Sequence, residues 1–239
     1  PAGLEMMDRK AIHAVEPYVN AGYDLDAEAI LLCESDGTPE EVDEEMARMT
    51  EVLKHSGASG IRVSQNETER LKFWAGRKAA FPAVGRITPD YLCMDGTIPR
   101  KNLARMLIAI AEMEQRYGLR CANVFHAGDG NLHPLIMYDA NVPGQLEVAT
   151  SFGGEILELS VALGGSITGE PGVGGEKIAQ MCAQFSPAEL EVFHALKRAF
   201  DLDGLLNPGK AIPTAARCRE YRLIRSAANC TDNMAAGVG

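Results

Sequence analysis

Apolar positions along the chain recur with two rhythms, and the change of rhythm marks the elements. Spacing of three and four residues puts Leu103, Met106, Leu107, Ile110, Met113 and Tyr117 on one face of a helix over 100–118, closed by Gly118. Residues 145–163, ending at Gly164-Gly165, and residues 176–185 read as two more helices. Thr38, Pro39 and Glu41 form a capping box, which predicts a helix running to His55 and stopping at Gly57. Ser186, Pro187 and Glu189 repeat that signal for 186–200. A helix from about Glu67 must kink or end near Phe81, because Pro82 has no backbone N–H to donate. The first ~20 residues, around "MMDRKAIHAV", read as helical.

Between these stretches lie short apolar runs. Residues 26–35, 60–65, 121–127 and 132–139 are strand candidates, and 91–99 and 166–170 read as extended. Asp129-Gly130 sits between two of the runs, and a type I′ turn there would make them a hairpin and hence an antiparallel pair. The predicted fold is α+β: an antiparallel or mixed sheet with helices packed on it, built from split βαβ, ferredoxin-like units. Residues 201–218 read as loop, and the terminal "MAAGVG" as a flexible tail.

Composition narrows the class. The chain has 239 residues with 46% hydrophobic positions, enough for a real core in one large domain or two small ones. Net charge is −10 and the pI about 5.0, with no basic stripe, so nucleic-acid binding is not expected. No apolar run reaches the ~18–20 residues of a membrane span, and "PAGLEMMDRK" is not a signal peptide. A cytoplasmic location follows as the expectation, with peripheral attachment to the inner face of a membrane left open. Six cysteines form no CxxC pair and read as reduced thiols, with Cys33, Cys93, Cys121 and Cys182 as core packing. The chain opens on Pro1 rather than Met, which suggests a piece of a longer protein.

The chemistry gathers at "HAGDGNLHP" (126–134). A hairpin centred on Asp129-Gly130 places His126 opposite His133 on one face, close enough to share a divalent metal. Glu170, before the glycine-rich "GEPGVGG", offers a carboxylate third ligand, and two His with one carboxylate would leave a coordination position open. The alternative is a plain turn flanked by a histidine pair. Arg77 shares a helix face with Phe73, Trp74 and Phe81. It is either a snorkelling cation or a fork for a substrate carboxylate.

Four separated stretches carry a resemblance: "FWAGRKAAFPAVGRITPDYLCMDGTIPR", "NVFHAGDGNLHPLI", "GGSITGEPGVGGEKI" and "DGLLNPGK". In this order they resemble the C-terminal half of the FAD-linked oxidases of the glycolate oxidase and D-lactate dehydrogenase type. The resemblance implies a cap or substrate domain over 1–200, a segment over 201–225 returning towards a flavin, and a tail over 226–239. It implies FAD held mostly by an N-terminal domain not contained here, and a divalent metal, zinc foremost, at His126, His133 and Glu170. Arg77 matches a substrate-carboxylate arginine, and Asn207 falls near the flavin. The implied reaction oxidises glycolate or D-lactate to the 2-oxo acid, with electrons passing to an iron–sulfur subunit, for which this chain has no cluster cysteines of its own. One position departs from the pattern. The family reads Gly-Glu-His-Gly where this chain has Pro171, and proline cannot accept a proton. Two other readings remain: a non-catalytic cap, or an independent two-His-one-carboxylate metalloenzyme.

Overall fold

The computed structural model describes residues 1–223. The chain opens as strand β1 (Gly3–Asp8), not as a helix. Alternation decides this: Met6 and Met7 point into cores on opposite sides of the sheet. Asp8 then stops the strand and caps helix α1 (Arg9–Val19), its carboxylate accepting the Ala11 N–H at 2.9 Å. Strand β2 (Ala29–Glu34) and helix α2 (Pro39–His55) follow, the latter with both halves of the Thr38–Glu41 capping box formed. The expected strand at 60–65 is irregular. Arg62 ties that segment to the Gly22 carbonyl at 2.7 Å and lies over the Phe73 ring, so side-chain anchoring replaces a ladder.

Helices α3 (Glu67–Lys78) and α4 (Ala80–Val84) break at Ala79, ahead of Pro82. Strands β3 (Asp90–Cys93) and β4 (Gly96–Thr97) lead into helix α5 (Leu103–Tyr117), which Gly118 closes in a left-handed conformation. Strands β5 (Cys121–Phe125), β6 (Asn131–Leu132) and β7 (Pro134–Tyr138) follow, then helices α6 (Gln145–Ala162), α7 (Ile178–Gln184) and α8 (Pro187–Phe200). Residues 166–170 form only one bridge, Ser166 to Thr97. Residues 201–214 are irregular as expected, but 215–223 are helical. The terminal "MAAGVG" lies outside the described residues.

The main sheet runs β2-β1-β5-β7-β3, every pair antiparallel, and β4-β6 form a separate two-stranded element. One face carries Met6, Phe125, Leu132 and Ile136 against Met106 and Ile110 of α5 and Phe152 and Ile156 of α6. The other carries Met7, Val124, Leu135 and Met137 against Ile12 and Val15 of α1 and Ala83 and Val84 of α4. A third cluster, including Met94, Leu157, Met181 and Leu190, seats α7 and α8.

The cysteine expectation needs correcting. Cys182 and Cys218 form a disulfide, Cα atoms 5.2 Å apart, joining α7 to the last helical segment. The two lie 36 residues apart, and only the fold brings them together. Cys33, Cys93 and Cys121 are free thiols.

Candidate metal and substrate site

The hairpin is built differently from the type I′ turn that Asp-Gly suggests. His126 bridges to Asn131, not His133, leaving a four-residue loop, Ala127 to Gly130. Only Gly130 in it has positive φ (75°). A side chain at Gly130 would also collide with the Ile98 carbonyl, so glycine is required twice over. The register differs from expectation by two residues. Because the strand period is also two, His126 and His133 still share a face as diagonal neighbours. Their rings meet edge to face, 4.9 Å between centroids.

The same register supplies a partner that sequence reading missed. Met6 pairs with Phe125 and Met7 with Val124, so Glu5 stands beside His126. Glu5 Oε1 lies 2.7 Å from His126 Nδ1. Its other oxygen accepts from Arg77 Nε and Nη2, each at 2.9 Å. Glu5 was hidden because its strand read as helix. The Arg77 that sequence pattern placed among aromatics is instead part of a buried chain: guanidinium, carboxylate, imidazole. Among the described residues Arg77 bonds to Glu5 through Nε and Nη2, and nothing accepts from its Nη1.

Glu170 arrives from the other side. Strand β4 pairs with β6 through Gly96 and Thr97, and Thr97 also bridges Ser166, so the segment after Ser166 is carried over the histidines. Glu170 Oε1 lies 3.3 Å from His126 Nε2, and Oε2 lies 3.5 Å from His133 Nε2. One ligand atom from each of the three residues falls within 4.8 Å of the others. His133 is buried and Glu170 exposed, so the cluster opens on one side. With Nδ1 donating to Glu5, a neutral His126 would turn the lone pair of Nε2 towards the Glu170 carboxylate, a contact that either a proton or a metal cation between them relieves; two imidazole nitrogens and a carboxylate are donors that fit a divalent metal.

Asp95, between β3 and β4, was also missed, since "MDGT" looks like an ordinary turn. It is almost fully buried, with Oδ1 3.6 Å from His133 Nε2 and Oδ2 3.1 Å from Lys177 Nζ. Burial alone would raise its pKa. The nearby His133, the Gly169 N–H and the Lys177 ammonium outweigh that and hold the carboxyl well below the usual range.

Pro171 is exposed and contributes no polar side-chain atom. Asn207 is exposed, with φ 46°, and its carbonyl accepts the Lys210 N–H at 3.3 Å. It makes no described contact with the histidines. Its segment meets the loop that follows Glu170, where the Ala211 N–H donates to the Gly174 carbonyl at 2.8 Å. His13, His55 and His194 each face a backbone carbonyl elsewhere.

Comparison with known proteins identifies the family. Residues 1–211 match the model for FAD linked oxidases, C-terminal domain. The chain belongs to this family. It is 61% identical over 221 residues to "Glycolate oxidase subunit GlcD" of Escherichia coli (strain K12), covering 92% of this chain and 44% of that protein. It is 35% identical to the subunit of the same name in Bacillus subtilis (strain 168), covering 92% and 47%. "Probable D-lactate dehydrogenase, mitochondrial" of Danio rerio is 27% identical, covering 88% and 42%. The FAD-linked oxidase domain thus spans less than half the length of these relatives. A solved structure, "4-ethylphenol oxidase from Gulosibacter chungangensis: isoeugenol complex", shares the fold with a TM-score of 0.64 at 13% identity, over 89% of this chain and 48% of that one. Among the described residues no helix is long and apolar enough to cross a membrane.

Proposed function

We propose that this chain is the metal- and substrate-binding part of an FAD-dependent dehydrogenase that oxidises glycolate or D-lactate to the 2-oxo acid. The observation that carries the reading is the convergence of His126, His133 and Glu170 within 4.8 Å, with Glu5 tying His126 to Arg77. The family match and the 61% likeness to a glycolate oxidase subunit support the reaction class. In this reading residues 1–200 form the substrate-binding cap, and 201–225, with Asn207, return towards a flavin held mainly by another domain. An iron–sulfur subunit receives the electrons. The cytoplasm is the proposed location.

His126, His133 and Glu170 would hold the metal, zinc foremost given the nitrogen and carboxylate donors. When bound, the metal supplies Lewis acidity towards the substrate hydroxyl, and FAD supplies the hydride acceptor. The protein's own residues do the rest. Arg77 uses its free Nη1 end to clamp the substrate carboxylate, while its bonds to Glu5 fix the guanidinium plane. Glu5 fixes the tautomer and ring orientation of His126. Burial of Arg77, His133 and Asp95 keeps bulk water from the inner side of the site. Pro171 supplies no base, so the hydroxyl proton leaves to a group other than residue 171.

The test is anaerobic reduction of the flavin in the intact flavoprotein containing this domain. Glycolate or D-lactate should bleach the flavin's visible absorbance, and chelation or His126→Ala should prevent it. Arg77→Ala should raise KM roughly 10–100-fold, the loss of a charged hydrogen-bonding partner. Activity indifferent to both chelation and Arg77→Ala would overturn the reading. Metal-dependent turnover by this chain without flavin would favour an independent metalloenzyme instead.

A further inference from the structure

The loop bearing Glu170 is glycine-rich, and its anchoring comes from one buried carboxylate. Asp95 Oδ2 accepts the Gly169 N–H at 2.7 Å, the Glu170 N–H at 3.2 Å and the Thr168 hydroxyl at 3.2 Å. It also pairs with Lys177 Nζ at 3.1 Å, and that ammonium reaches back to the Asp95 carbonyl at 2.5 Å and to Thr168 Oγ1 at 3.4 Å. Thr168 Oγ1 in turn accepts the Gly172 N–H at 3.0 Å. Both ends of the acid's loop, 168–170 and 177, therefore converge on Asp95. Both charged side chains are 3% exposed. A buried ion pair is weak evidence for stability by itself; what distinguishes this one is the set of hydrogen bonds that tie it to the loop of Glu170.

The second oxygen points the other way. Asp95 Oδ1 is buried and has no hydrogen-bond partner, and it stands 3.6 Å from His133 Nε2. Asn131 Oδ1, also buried without a partner, is close by: a Cβ on Gly169 would lie 2.2 Å from it and 2.8 Å from Asp95 Oδ1. One carboxylate thus grips the loop of the acid with one oxygen and faces the buried histidine with the other.

We propose that Asp95 is a positioning residue that sets the separation of Glu170 from His133, and so tunes metal affinity without itself being one of the three ligands. This rests on the metal reading above. It goes beyond that reading by giving the Asp95–Lys177 pair a role in metal affinity.

The experiment measures cobalt(II) and zinc affinity of the full chain by competition with a chromophoric chelator, together with the visible spectrum of the cobalt form. Wild type is compared with Asp95→Ala/Lys177→Met and Asp95→Asn/Lys177→Met, both of which avoid leaving Lys177 buried and unpaired. The Ala variant should bind roughly 10–100-fold more weakly with an altered cobalt spectrum, as for other outer-shell partners. The Asn variant keeps an amide oxygen for the Gly169 and Glu170 N–H groups and should recover most of the affinity. Thr168→Val keeps the ion pair and loses the hydroxyl's links to Asp95, Lys177 and the Gly172 N–H, and should weaken binding about fivefold. Wild-type affinity and spectrum in the folded Ala variant would overturn the proposal. If that variant does not fold, an unchanged affinity in Thr168→Val overturns it. Failure of wild type itself to bind either metal removes the metal reading and this proposal with it, and is distinguishable because it needs no variant.

Discussion

The two faces of the main sheet use alternate residues of the same strands for opposite ends. On one face Met6, Phe125, Leu132 and Ile136 meet α5 and α6 in an apolar core with little polar content. On the other face Met7, Val124 and Leu135 begin the same way. At one end of it, however, the positions fill with Glu5, His126 and His133, which Asp95 and Glu170 meet from adjoining loops. The first face gains stability from every buried methylene. The second gathers buried charges whose desolvation is costly, and arranges them so that each has a partner or faces the cluster. Stability and chemistry are thereby separated by a strand period of two.

The separation is open to direct attack. Phe125→Ala, on the apolar face beside His126, should cost about 3–5 kcal/mol in denaturant unfolding. It should leave metal affinity of the folded fraction unchanged. His126→Ala/His133→Ala should do the reverse: metal lost, with metal-free stability within about 1 kcal/mol of wild type. A double mutant as destabilised as Phe125→Ala would show that the polar end also carries the fold.

Glu5→Gln sharpens the contrast inside the site. The amide keeps the size but loses the charge that orients His126 and holds Arg77, so metal affinity should fall roughly 10–100-fold, and the melting temperature should fall as well because Arg77 is left buried without its carboxylate. Equal affinity would reduce Glu5 to a structural partner of Arg77.

Titration separates the regions further. The Asp95 carboxyl is held below its ordinary 3.8. A depressed acid contributes stability that is complete above that value and lost as pH falls below it. Acid unfolding below about pH 4 should therefore lose part of its pH dependence in Asp95→Asn/Lys177→Met. Tyr23 behaves in the opposite sense. Burial pushes its phenol from 10.0 up to about 12. A raised acid contributes stability that is present below pH 10 and disappears as pH rises towards 12. Its hydroxyl donates to the Phe73 carbonyl, so Tyr23→Phe should lower stability modestly at neutral pH and flatten the alkaline loss. An unchanged alkaline slope in that variant would assign it to other groups, the Cys93 thiol first, which burial also pushes up to about 12.

The smallest effect belongs to α2, which has no buried residue. Thr38→Ala removes its cap and should cost about 1 kcal/mol with no effect on metal affinity.

Sequence made some of this legible and concealed the rest for physical reasons. Helix starts at Thr38 and Ser186 were readable because capping is local chemistry. His126 and His133 were placed on one face despite the wrong turn type, because an error of two residues in register leaves the face unchanged. Glu5 was not found, since β1 is a short strand running straight into a helix with only Asp8 to mark the change. Asp95, Lys177 and the Cys182–Cys218 bridge depend on contacts across 82 and 36 residues, which no local pattern encodes. The 60–65 segment has the composition of a strand, but the arginine within it found an aromatic ring and a carbonyl instead.

The most direct test of the central claim is the metal content of the purified, chelator-free chain by elemental mass spectrometry, with and without added zinc, beside His126→Ala/His133→Ala. The account predicts about one equivalent of a divalent metal per chain, absent from the double mutant. Metal in neither protein, or equally in both, would contradict it.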